Sequence, residues 1–327
     1  MRYLDGDAGD SRLLLALVTT DSQTQPTVVQ FLVDGPSESQ RLSGKPLSNG
    51  VYSLDWSPNE RGTFDVSVEV KDAAGFRNWS TLSVPITVST VAIASQGVVS
   101  AANFRSIVSP GSLATIFGGG FTSEIQSAPT VPLPLVLGGV EVTIGGVPAP
   151  LLYVSPTQVN AQVPWGAAAA CDVSRQIAVT VQTLNGQAQS TVRCSIEAPA
   201  VFRGDTPVRG LATHVDGTVV GPNGPTSRPA RPGEAITLWS TGLGPVTPAA
   251  RDGETSMDVI RWAVTDPIVT IGGSAASVTF AGLAPGLVGV NQINIVVPAD
   301  VSFGDAVPLS VTVGNSADNM ARIAIEQ

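Results

Sequence analysis

The chain has 327 residues, with 26 acidic against 17 basic side chains and a formal net charge of −9. That balance, with no cluster of Lys or Arg, argues against nucleic-acid binding, because phosphate contacts need dense positive charge. One histidine and two cysteines all but exclude a zinc centre built from several such ligands. Hydrophobic residues make up 43%, enough for packed cores. The length therefore fits about two domains, or three if each is a β-sandwich of roughly 100 residues. No run of 18 apolar residues occurs, so no membrane span is expected.

The first residues, Met1-Arg2-Tyr3-Leu4-Asp5, lack a signal peptide's apolar core. The chain is either cytosolic or a fragment of a longer exported protein. Early strand-forming sequence and the scarcity of lysine (Lys45 and Lys71 alone) favour an extracellular or cell-surface fragment. Asp5, Asp7 and Asp10 then place three carboxylates in a Gly-bearing turn. Calcium wants several oxygen ligands on such a turn, so these three are the candidate metal ligands; the competing reading is a solvated acidic terminus. An EF-hand would need Glu at the twelfth position from Asp5, where Ala16 stands.

Period-2 patterning follows. Leu13 to Val18 is continuously apolar and reads as a fully buried strand. Val28 to Val33, Val51 to Trp56 and Leu82 to Val88 read as further strands. Phe64, Val66, Val68 and Val70 alternate with polar residues as a half-buried strand. Residues 1–90 form a first unit, and Thr90 to Asn103 is a linker or the opening strand of the next.

Beyond it lies an internal duplication. Ser109-Pro110-Gly111-Ser112-Leu113 matches Arg231-Pro232-Gly233-Glu234-Ala235. Val142-Thr143-Ile144-Gly145-Gly146 matches Val269-Thr270-Ile271-Gly272-Gly273. Gln158-Val159-Asn160 matches Gln292-Ile293-Asn294, and each run ends in Val-Pro. Pro-Gly sets a turn before a strand, and Gly-Gly supplies positive φ. Alternation puts Gln and Asn on one face. Short strands with frequent turn signals and no long helical periodicity point to β-sandwiches.

Between the copies' landmarks, Asn185-Gly186 reads as a two-residue hairpin turn that sets Cys194 opposite Ile177. Cys171 then folds back over the hairpin mouth. A Cys171–Cys194 disulfide fits an oxidising compartment; two buried free thiols are the alternative. His214, before Asp216-Gly217, reads as a strand residue beside a turn rather than a triad base, and no Gly-x-Ser-x-Gly elbow accompanies it. Gly118-Gly119-Gly120 is a turn, not a phosphate cradle. Asp252, Glu254 and Asp258 form a second acidic loop. Trp165 and Trp262 lie near strand ends or loops, where each either stacks on a sugar ring or packs internally.

Ala101-Ala102-Asn103-Phe104, Ser109-Pro110-Gly111-Ser112, Ser240-Thr241-Gly242-Leu243-Gly244-Pro245 and Phe280-Ala281-Gly282-Leu283-Ala284-Pro285-Gly286 resemble the Solibacter-type C-terminal domain family over about Val98 to Gln327. Each copy also resembles IPT/TIG-type immunoglobulin-like domains. Residues 1–90 resemble bacterial immunoglobulin-like surface modules. The resemblance implies an all-β chain of three tandem immunoglobulin-like β-sandwiches at 1–90, 91–203 and 204–327, the last two an internal duplication. It brings no catalytic residues. The function expected is a non-catalytic extracellular structural or binding module of a bacterial exported protein, acting in adhesion or contacting carbohydrate or a surface protein. The rival is a calcium-dependent hydrolase of a small ester or lactone, such as an acyl-lactone signal. Calcium would there polarise the carbonyl.

Overall fold

The computed structural model describes residues 12–18, 26–56, 63–73, 77–79, 84–87, 91–184, 186–204 and 208–327. Two compact units divide the chain: Met1–Val91 with Thr183–Gly186, and Ala92–Gln182 with Gln187–Gln327.

The first unit is a two-sheet sandwich. β1 (Arg12–Leu17), β2 (Val28–Asp34), β3 (Ser39–Ser43), β4 (Val51–Trp56) and β5 (Thr63–Lys71) are its main strands. β1 pairs antiparallel with β4, and β2 lies between β3 and β5. Alternation turns Val29, Phe31 and Val33 inward against Phe64, Val66 and Val68 of β5. Trp56 closes this core edge-on to Phe64, with ring centroids 5.0 Å apart. β1 departs from expectation: Leu14 and Ala16 are buried, but Leu17 is 67% exposed. Its apolar run is one face of a half-buried strand, not a strand buried on both sides.

The second unit holds two sandwiches built to one plan. In the first, β6 (Ala92–Ser100), β7 (Leu113–Gly119), β8 (Val140–Ile144), β9 (Leu151–Val154) and β10 (Gln158–Gln162) precede a short helix, α1 (Ala168–Ser174). The hairpin of β11 (Gln176–Thr183) and β12 (Gly186–Cys194) follows. One sheet runs β9-β10-β7-β6 and the other β12-β11-β8. The second copy uses β13 (Ala235–Thr241), β14 (Ile268–Ile271), β15 (Ser277–Leu283), β16 (Asn291–Val296), β17 (Gly304–Val313) and β18 (Ser316–Ile325). Its sheets run β15-β16-β13 and β14-β17-β18. With the first unit, the protein is three immunoglobulin-like β-sandwiches in tandem.

The duplication extends to single bonds. Pro110-Gly111 and Pro232-Gly233 make the same turn, with glycine φ of 79° and 80°. Ser112 N–H donates to Ser109 O at 3.1 Å, and Glu234 N–H donates to Arg231 O at 3.0 Å. Positive φ at the second central position is what a type II turn demands. Thr115 Oγ1 donates to Asn160 Oδ1 at 3.1 Å, and Thr237 Oγ1 to Asn294 Oδ1 at 3.0 Å. Gln158 and Gln292 donate their amides to the same asparagine oxygens at 2.8 and 2.9 Å. The repeated Gln-x-Asn pair is thus a polar ladder that fixes register between adjacent strands.

The two copies share a buried seam. Leu113 N–H donates to Thr241 Oγ1 at 3.0 Å, and Thr241 Oγ1 donates to Gly289 O at 2.6 Å. Gly253 N–H donates to Gln162 Oε1 at 2.6 Å, and Trp165 N–H to Asp252 Oδ1 at 2.7 Å. Gly289 faces the Leu113 side chain so closely that a Cβ there would overlap it.

Candidate binding site

Cys171 and Cys194 are joined by a disulfide with Cα atoms 5.1 Å apart. Cys171 reaches the bond from α1, an element the sequence reading lacked. The hairpin register also differs from the expected one. Gly186 is already the first residue of β12, and Cys194 N–H donates to Arg175 O at 2.9 Å. Cys194 therefore meets the chain two residues before Ile177.

The sequence-selected titratable groups go to structural tasks wherever they are described. Asp5, Asp7 and Asp10 lie outside the described residues. Among the described residues no three His, Cys, Asp or Glu side chains gather as a metal site. His214 is buried, its Nδ1 at 2.8 Å from Glu234 Oε1 and its Nε2 at 3.0 Å from Arg228 O. Arg228 in turn grips both Glu234 oxygens, at 2.7 and 3.2 Å. Burial pushes the Glu234 carboxyl up, but Arg228, the Arg231 N–H and His214 together hold it below the usual carboxylate range. In the second acidic loop, Asp252 caps Trp165 while Glu254 lies 3.7 Å from Arg251. The Arg261 guanidinium holds the exposed Asp258 carboxyl down to about 2. These carboxylates pair with cations and N–H groups of the protein itself.

Two surface features remain that face outward. The first is an aromatic platform on the third sandwich. Arg261 is buried and straps its loop down, donating to Asp258 Oδ1 at 2.6 Å, Ser256 Oγ at 3.2 Å and Ala249 O at 3.3 Å. From this anchor the chain runs extended, and period 2 turns Ile260, Trp262 and Val264 to solvent while Arg261 and Ala263 point in. Trp262 is 47% exposed and held edge-on by Phe280 at 4.7 Å. Gly282 stands opposite Trp262, where any Cβ would overlap the Arg261 carbonyl. Trp165 makes no such platform, because its ring lies flat on Gly111 in the seam.

The second feature is a pocket of about 190 Å³ where the copies meet, lined in part by Asn103, Arg105, Arg193, Asn315 and Ser316. Arg105 crosses to the third sandwich and donates to Ala317 O at 3.1 Å. Arg193 stands on β12 beside Ile107, its parallel neighbour. Asn315 comes from the turn between β17 and β18, and Ser316 opens β18. The sequence carried no local sign of this pocket, since its parts lie up to about 200 residues apart.

No protein-family model matches the chain, and no curated protein does. Among solved structures, SGBP-B of the Bacteroides ovatus mixed-linkage glucan utilization locus, in complex with a mixed-linkage heptasaccharide, is similar at 16% identity. The match covers 98% of this chain and 65% of that one, with a TM-score of 0.33. The chain thus spans just under two thirds of the length of that protein. The I9–I11 tandem of titin is 12% identical over 97% of this chain and 94% of its own, with a TM-score of 0.28. SGBP-B from a complex xyloglucan utilization locus in Bacteroides uniformis is 13% identical over 98% and 97%, with a TM-score of 0.26. Identities and scores this low do not bear on the site. Among the described residues no helix is long and apolar enough to cross a membrane.

Proposed function

We propose that the chain is a non-catalytic, extracellular binding module of an exported bacterial protein, a Solibacter-type tandem that contacts carbohydrate through the Trp262 platform. The observation that carries this reading is a large aromatic ring left half in solvent and braced by a second ring. An indole face offers apolar area at little entropic cost and keeps a polar edge for water. Ile260 and Val264 extend the same face, forming an exposed apolar strip of the kind that marks an interaction surface. The Cys171–Cys194 disulfide supports an oxidising compartment.

The test is affinity electrophoresis and calorimetry against neutral polysaccharides, mixed-linkage glucan and xyloglucan among them. The expected result is retention by at least one glycan, weakened about tenfold or more in Trp262→Ala, a loss of roughly 1.4 kcal/mol or more. Retention by none would remove carbohydrate as the partner. A panel of esters and lactones, assayed with and without chelator, is expected to show no turnover above buffer. Chelator-sensitive turnover would establish the calcium-dependent hydrolase instead.

A further inference from the structure

The pocket between the second and third sandwiches holds two guanidinium groups on a chain whose net charge is −9. Arg105 spends one of its five donors on Ala317 O. The Arg193 side chain has no ion-pair or hydrogen-bond partner among the described residues. Of the carboxylates nearest in sequence to the lining, Asp318 accepts from Arg203 and from the Val201 N–H, while Glu197, beside the turn at Gly314, takes only a 3.5 Å contact from Thr265. Neither guanidinium of the pocket is ion-paired or hydrogen-bonded to a carboxylate among the described residues. Guanidinium is the side chain that matches a carboxylate in two-point planar geometry.

The remaining lining is polar and neutral. Asn103 accepts the Arg105 N–H through Oδ1 at 3.2 Å, leaving its NH₂ as a donor. Asn315 and Ser316 add an amide and a hydroxyl from the facing β17–β18 hairpin. Such groups suit hydroxyls that both donate and accept. Phe104 stands between Asn103 and Arg105 in the chain, 58% exposed and at φ 58°. A bulky residue in the left-handed region is strained, and strain of this kind collects at ligand sites. A volume of about 190 Å³ lies below the roughly 300–1,000 Å³ of drug-sized pockets, so it suits one ring rather than a chain of them.

We propose that this pocket binds a hexuronate residue of an acidic glycan, its carboxylate between Arg105 and Arg193 and its ring hydroxyls on Asn103, Asn315 and Ser316. The inference rests on the carbohydrate reading above but uses none of the platform's residues, so the two fail separately.

The experiment is calorimetry of the full chain with trigalacturonate, its methyl ester, a sulfated glucose and acetate. Trigalacturonate is expected to bind, with affinity falling as salt rises. The methyl ester should bind at least tenfold more weakly. Arg193→Ala and Arg105→Ala should each weaken binding about tenfold or more, as loss of a charge-assisted hydrogen bond does. Trp262→Ala should leave the trigalacturonate affinity unchanged. Arg193 is exposed, so Arg193→Glu with an unaltered melting curve serves as the folded control and should abolish binding. Equal affinity for the ester, tighter binding of the sulfated glucose, acetate binding as well as the trimer, or indifference to both arginines would each overturn the proposal. Loss of neutral-glycan binding in Trp262→Ala with trigalacturonate binding intact would separate the two sites.

Discussion

The second and third sandwiches repeat one scaffold, yet they differ wherever a side chain leaves it. At the shared Pro-Gly turn, Ser112 accepts the Ser109 N–H at 3.2 Å, while its counterpart Glu234 accepts the Arg231 N–H at 3.0 Å and also gathers His214 and Arg228. After the shared Val-Pro, the second sandwich has Trp165 and the third has Ala299. Gly111 is accordingly roofed by an indole, whereas a Cβ at Gly233 would meet nothing within 4 Å. Gln162 reaches across the seam; Val296 holds the same place in the other copy. What recurs is register and turn geometry, and what departs builds the seam, the pocket and the platform.

The copies also differ in how each is fastened, and that contrast can be broken experimentally. The third sandwich relies on Asp318, fully buried and bonded to Arg203 through both oxygens at 3.0 Å and to the N–H groups of Val201 and Met320. Asp318→Ala leaves the Arg203 charge buried without its partner, a change that costs about 3–5 kcal/mol. Urea unfolding should record that loss, the largest of the three effects predicted here. A loss under 1 kcal/mol would mean that the pair is replaceable.

The second sandwich carries a covalent fastening instead. Cys171 and Cys194 are 23 residues apart, and closing a loop of that length restricts the unfolded chain by about 3 kcal/mol. Cys171→Ala with Cys194→Ala should lower stability by that order. Thiol reductant should do the same to the wild type and nothing to the variant. Chemical unfolding with and without reductant checks both.

The smallest expected effect is a dependence on pH. The Glu234 carboxyl titrates lower in the folded protein than its ordinary 4.5. Its contribution is therefore complete above that value and is lost as pH falls through the lower, folded one. The gap in melting temperature between wild type and Glu234→Gln should be widest near neutrality and close as acid is added below pH 4.5. A gap that is constant down to pH 3 would show that charge has no part in this cluster.

Sequence made the scaffold legible because its signals are local. Pro-Gly, Ile-Gly-Gly and the alternating Gln-x-Asn runs state their own geometry within a few residues, and they recur. His214 was likewise readable as a strand residue, since Asp216-Gly217 announces the turn behind it. The β1 strand misled because six apolar residues do not reveal which face a second sheet will cover; Leu17 is left in water. The Cys194 register slipped because Asn-Gly marks a turn without fixing which of its residues already belong to the strand. Arg105, Arg193 and Asn315 were silent for a different reason. Each is an ordinary surface residue until the fold brings positions 103–107, 193 and 315–317 to one place.

The seam bonds of Leu113, Gln162 and Trp165 have a mechanical consequence. They join the two copies at three places, through bonds that must all be exchanged for water before the copies part. Under tension, the two copies should yield in a single event, as one link of a chain rather than two beads on a thread.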